Sequence, residues 1–154
     1  MKLKSSTGMA FELKIMGYQF PHMETEEYDS NWLMIRINVS HPKGDWASTD
    51  PSLLTYEVAH LAEWLEAVYN GELVDPVMVF IEPNLEFQLV ATENGENKAL
   101  RVCFNAESRP PWGKAKGVDE GDAWVLFPLT EINLAVSSQQ LREQLQQFPQ
   151  RARV

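Results

Sequence analysis

The chain has 154 residues, enough for one domain with a real core, and its 44% hydrophobic and 23% charged residues are a globular composition, not a disordered one. With 13 basic against 22 acidic residues the net charge is −9, which argues against nucleic acid as a direct ligand, because phosphate contacts need clustered Lys and Arg. A single cysteine, Cys103, excludes an intrachain disulfide and points to a reducing compartment, and no run approaches the ~18 apolar residues of a membrane helix.

Met1 to Ala10 carries Lys2 and Lys4 with no apolar stretch behind them, so no secretory signal is expected and a cytoplasmic location is predicted. Phe11, Leu13 and Ile15 alternate with Glu12 and Lys14, which predicts a strand with one buried face. Gly17 to Pro21 ends it, and the polar stretch Met23 to Ser30, with Glu24, Glu26, Glu27 and Asp29, reads as a loop. Leu33, Ile35, Ile37 and Val39 give the clearest strand; the turn His41 to Asp45 leads into a short returning strand, Trp46 to Thr49.

A helix over about 55–70 follows. Val58, Leu61, Ala62, Leu65, Val68 and Tyr69 form its apolar stripe, Thr55 is the expected N-cap (Asp50-Pro51 being the alternative start), and Asn70-Gly71 is the stop. Val77 to Ile81, Leu85 to Ala91 and Ala99 to Phe104 read as strands, the last two joined by a turn at Asn94-Gly95. Ser108 to Asp122, rich in Pro and Gly, reads as a long loop. Ala123 to Phe127 is a further strand and Ile132 to Val136 a candidate for one more. Ser137 and Gln140 form a capping box that opens a last helix over about 138–149, and Arg151 to Val154 is expected to fray. The architecture is therefore α+β: a mainly antiparallel sheet, or two packed sheets, with two helices in a single domain ordered from about residue 10 to 149.

No pattern for catalysis or metal binding emerges. His22, His41 and His60 lie at no zinc spacing, Gly113, Gly117 and Gly121 match neither the P-loop nor the dinucleotide fingerprint, and there is no Gly-x-Ser-x-Gly elbow. Cys103 sits in a strand with no base beside it in sequence, where a small buried hydrophobe is the default. No cofactor, metal ligand or catalytic residue is expected. Of five tryptophans, Trp112 in Pro-Pro-Trp-Gly is the candidate for an exposed interface anchor, against the alternative that it folds back on the core.

Charge is distributed unevenly. Residues 44–97 hold eleven acids and no Lys or Arg, whereas the segments on either side are close to balance. On the first helix Glu57, His60, Glu63 and Glu66 lie on or beside the face opposite the apolar stripe, with no base at i+4 to offset them, and two of the acids approach the end where the helix dipole disfavours anions. One reading is solubility; the other is a docking surface for a basic partner, with Asp29 and Trp112 as further contacts.

Several segments together resemble the WapI-like immunity proteins of bacteria: Phe11 to Pro21, Tyr28-Asp29-Ser30-Asn31-Trp32-Leu33, Leu53 to Val58 leading to Leu61 and Trp64-Leu65, and Phe80 to Phe87. The resemblance covers about Phe11 to Phe148 and is one of pattern and order, without a catalytic motif. It implies a cytosolic, non-enzymatic protein that neutralises a cognate toxin domain of a polymorphic, contact-dependent system. Such toxins include nucleases with basic surfaces. The alternative function is a small-ligand or regulatory binding domain, which requires an apolar pocket with convergent polar groups.

Overall fold

A computed structural model describes residues 1–91, 93–114 and 123–152. Its elements are β1 (Lys2–Lys4), β2 (Ala10–Tyr18), β3 (Trp32–Ser40), β4 (Trp46–Leu54), α1 (Thr55–Tyr69), β5 (Val77–Met78), β6 (Leu85–Ala91), β7 (Asn97–Phe104), β8 (Trp124–Pro128) and α2 (Leu134–Gln147). Two four-stranded sheets, ordered β1-β2-β3-β4 and β5-β6-β7-β8, are antiparallel throughout. The fold is α+β, as the strand-rich pattern with two helices predicted.

Alternation sets the inner faces. Leu13, Ile15, Leu33, Ile35, Ile37 and Val39 are buried on one sheet, and Leu85, Phe87, Leu100, Val102, Phe104 and Phe127 on the other. The sheets meet through aromatic edges. Phe11 lies 6.0 Å from Phe87 and 5.8 Å from Phe104, and Trp46 stands on Phe104 at 5.0 Å, nearly perpendicular. Edge-to-face contact suits rings whose faces are negative and edges positive. The apolar stripe of α1 joins the same buried cluster through Val58, Leu61, Ala62 and Leu65, and Leu134 and Leu141 bring in α2.

Several local expectations are corrected. A strand precedes the one expected first: β1 pairs with β2, and Met1 and Leu3 are buried; three residues are too few to show periodicity. β4 is nine residues long and does not stop at Thr49. Asp50-Pro51-Ser52 looks like turn chemistry, but β4 is an edge strand, and a bulge between the pairs Leu33↔Leu53 and Ile35↔Asp50 takes up the proline. The N-cap of α1 is Leu54, not Thr55; Thr55 is the first helical residue, and its hydroxyl donates to Asn31 Oδ1 at 2.8 Å.

Val77 to Ile81 is a strand only at Val77–Met78. Ile132 to Val136 is no strand. α2 starts at Leu134 behind Asn133, whose Oδ1 accepts Val136 N–H at 3.1 Å, one turn before the expected serine cap. The expected cap, Ser137, donates back to Asn133 O at 3.2 Å inside the helix, and its neighbour Ser138 is buried against α1, donating to Ala62 O at 2.7 Å. Arg151 is held, not frayed: its backbone N–H and C=O both bond Asn31, at 2.8 and 2.6 Å, and its guanidinium lies 3.5 Å over the Tyr18 ring. Of the loop expected over Ser108 to Asp122, Ser108 closes a 3-10 turn that starts at Ala106 and residues 111–114 form another; residues 115–122, with Gly117 and Gly121, lie outside the described residues.

α2 also covers a sheet edge. Beyond β1 the outer edge of β2 has no strand neighbour, and Gln144 stands in for one: its Oε1 accepts from Ile15 N–H at 2.7 Å and its Nε2 donates to Leu13 O at 3.2 Å. One turn earlier Gln140 Oε1 accepts Lys2 N–H at 3.0 Å. Leu13 O also accepts from the N-terminal ammonium of Met1 at 2.9 Å, so it is the Ile15 and Lys2 N–H groups that the glutamines at i and i+4 keep from a foreign strand.

Candidate functional site

Helix α1 determines where the acidic side chains go. Its exposed face carries His60 and Glu63, with Tyr56 half-buried 6.5 Å from the His60 ring. Glu57 is 7% exposed, so it does not stand with them. Its two carboxylate oxygens accept Leu54 N–H at 3.0 Å and Ile81 N–H at 2.7 Å. The first bond is half of a capping box, since leucine at the cap has no acceptor to reciprocate. The second ties the chain beyond α1 back to the helix start. Glu57 therefore has a structural task that its place beside the polar face did not suggest.

Glu66 is not unpaired. Arg142 of α2 reaches it at 2.6 Å, and the two residues are 76 apart in sequence. The search at i+4 missed this base because it comes from the neighbouring helix. Half-exposed, the pair contributes about 0.2–1 kcal/mol. Glu63 projects into solvent.

Asp29 is exposed in a single 3-10 turn, Asp29–Asn31, which Asn31 fastens to the start of α1. The Asn31 amide donates to Glu27 O at 2.7 Å and Arg151 O at 2.6 Å, and its carbonyl accepts from Thr55 and from Arg151 N–H. This turn also brings Glu27 and Tyr28 near Tyr56. The Tyr56 phenol is pushed above its ordinary value first by burial and then by the negative charge of Tyr28, Glu57 and Glu27. Asp29 thus joins the neighbourhood of α1.

Trp112 does not. It is half-buried, its indole N–H donates to Gly44 O at 3.1 Å, and its ring lies against His41 at 4.8 Å and meets Trp46 nearly perpendicular at 5.7 Å. Lys43 lies 5.2 Å over its ring. Burial, and next the charge of Lys43, hold the His41 imidazole below its usual value, which favours the neutral ring as a stacking partner. The cluster sits at the tip of the β3–β4 hairpin, and α1 begins at its other end. The nine residues of β4 separate them, and at ~3.3 Å per residue that is roughly 25–30 Å. Trp112 folds back on the core, and the structure does not bring it to the helix acids.

Sequence reasoning missed the apolar side chains after α1. Leu73 is fully exposed, Val79 is 63% and Ile81 58% exposed, and Tyr69 and Val77 are exposed as well. Reading Val77 to Ile81 as a strand implied a buried face. The signal against it was present in Asp75-Pro76 and Glu82-Pro83, which bracket the run with turn chemistry.

Cys103 is half-buried in β7, opposite Glu86 of β6. Burial, and secondarily Glu86, push its thiol up to about 11 against a smaller opposing pull from Arg101. At pH 8 about one thiol in a thousand is then ionised. Iodoacetamide labelling at pH 8 is expected to be roughly a hundredfold slower in the folded protein than in urea, because the thiolate is the nucleophile. Comparable rates in the two states would show that Cys103 lies in a different environment. Among the described residues no three His, Cys, Asp or Glu side chains converge to hold a metal ion, and no helix is long and apolar enough to cross a membrane.

Comparison with protein-family models gives a match over residues 2–149 to the family described as Immunity protein WapI-like. No curated protein and no solved structure matches. The family match spans both sheets and both helices, adds residues 2–10 and 149 to the resemblance over 11–148, and suggests a toxin as the partner. The chain belongs to the WapI-like family of immunity proteins.

Proposed function

We propose that this protein is a cytoplasmic immunity protein that binds a basic toxin domain through an acidic surface and neutralises it without catalysis. The observation that carries this reading is the absence of any Lys or Arg across residues 44–97, set against eleven acids. Most of that block lies in α1, in the segment after it and in β6; within it Glu57 is buried and Glu66 is ion-paired with Arg142, while Glu63, Glu72, Asp75 and Glu82 are exposed. The remainder gives the exposed side of α1 and the following segment a negative field. Such a field accelerates encounter with a positive surface and discriminates against acidic partners. A nuclease is one toxin class with a suitable surface, since its own substrate is a polyanion.

The test is co-expression with the C-terminal toxin domain encoded beside this chain's gene. Protection of the host is expected, and continued killing at matched expression would refute the assignment for that toxin. A second expectation concerns salt. Raising NaCl from 0.1 to 0.5 M shortens screening to well under 10 Å and should slow association about tenfold or more while dissociation changes little. An association rate indifferent to salt would remove the electrostatic part of the proposal.

A further inference from the structure

We infer that the segment from Glu72 to Glu82, which runs back along α1, is the surface on which the toxin docks, an apolar centre edged by acids. This rests on the immunity reading above and specifies where that binding occurs.

The path of the segment follows from hydrogen bonds at three points along it. At the end of α1, Gly71 adopts φ +72° and Glu72 N–H returns to Ala67 O at 3.0 Å while Gly71 N–H bonds Val68 O at 3.1 Å, a Schellman closure. Midway, the Trp64 indole donates to Asp75 O at 2.8 Å. Finally Ile81 N–H reaches Glu57 near the helix start. Residues 71–81 therefore retrace α1 from its last turn to its first. Pairing of Val77 and Met78 with β6 adds a fourth restraint.

This backbone is well held, yet it presents Leu73, Val77, Val79 and Ile81 to solvent. Exposed apolar side chains on a fixed backbone are costly to maintain unless something covers them, and a fixed surface loses little entropy on binding. Charge says what covers them. Glu72, Asp75 and Glu82 lie within the segment, Glu63 is exposed on the adjoining helix, and no base intervenes in sequence. Past Ile81 the surface continues into an open cavity of about 280 Å³ whose lining includes Trp32, Glu82 and Glu107. An aromatic face beside carboxylates suits a lysine or arginine side chain. A second copy of this chain fits poorly, because a two-fold contact would set the same acids against one another. A partner with apolar contacts rimmed by Lys or Arg fits.

The experiment measures binding of the full chain to the catalytically inactivated toxin domain encoded beside its gene. The triple substitution Leu73→Ser, Val79→Ser, Ile81→Ser is expected to weaken binding about 30-fold or more, as loss of an interface centre does. Glu82→Lys should weaken it and flatten its salt dependence. Val136→Ser, an exposed apolar side chain on α2, should leave binding unchanged. The single change Leu73→Ser serves if the triple variant melts early, since Leu73 is fully exposed. Tight binding by wild type and by these variants alike would place the docking surface elsewhere and leave the immunity reading standing. No binding by wild type would overturn both. A wild-type dimer that the triple substitution dissociates would make this a self-interface and overturn the inference.

Discussion

Replacing Phe11 by alanine is expected to destabilise the protein by about 3–5 kcal/mol, the range for truncating a buried phenylalanine. Phe11 is 1% exposed and comes from β2 in one sheet, yet its ring meets Phe87 and Phe104 of the other. Alanine removes both ring contacts and leaves a cavity at the seam, which the sheets cannot close without shifting register. With a urea slope of about 2 kcal/mol per molar, the unfolding midpoint should fall by about 2 M with the slope unchanged. Phe20→Ala, at a partly exposed position, should move the midpoint by less than about 0.3 M. Equal, small shifts for the two variants would mean that the sheets do not pack through Phe11.

The second large effect is expected at Glu57. Glu57→Ala deletes the acceptor of two backbone N–H groups, Leu54 at the helix start and Ile81 beyond it. Hydrogen bonds to a charged group contribute about 1.5–3 kcal/mol each. Some of this loss is recovered where water reaches Ile81, so about 2–4 kcal/mol is expected in total. Glu57→Gln keeps one oxygen acceptor and should lose about half as much. Amide exchange separates this from general destabilisation: the Leu54 and Ile81 amides should lose protection first, while those of β3 and β7 keep theirs. Unchanged protection at Ile81 would show that Glu57 does not hold the segment after α1. The same variant should also weaken toxin binding, although Glu57 is buried, because it frees the backbone that displays Leu73, Val79 and Ile81.

These two residues also mark what could be read before the fold was seen. Phe11 heads an alternating run, and a period of two with one apolar face identifies a strand wherever it lies in space. The runs at Leu33 to Val39 and Leu85 to Ala91 were legible for the same reason, and the stripe of α1 followed from the 3.6-residue period. β1 was too short to show a period, and β4 was hidden by a proline that only an edge strand with a bulge accepts. Glu57 is the opposite case. Its spacing put it beside the polar face, but its oxygens are held by Leu54 and Ile81, and Ile81 is 24 residues away.

The candidate site divides in the same way. Its acidity, its lack of Lys and Arg over residues 44–97 and the single cysteine are properties of composition, and no fold could alter them. Which acids face outward was decided in three dimensions. Arg142 neutralises Glu66 from another helix, Glu57 turns inward, Asn31 brings Asp29 to the start of α1, and the β3–β4 hairpin carries Trp112 away from it. The physical reason is range. Periodicity and turn chemistry act over a few residues and are written locally, whereas burial and charge pairing depend on distances between residues remote in the chain. The segment Glu72 to Glu82 lies on that boundary: its residues announce an apolar, acidic stretch, and its bonds to Trp64 and Glu57 and its pairing with β6 hold Leu73, Val79 and Ile81 out to solvent.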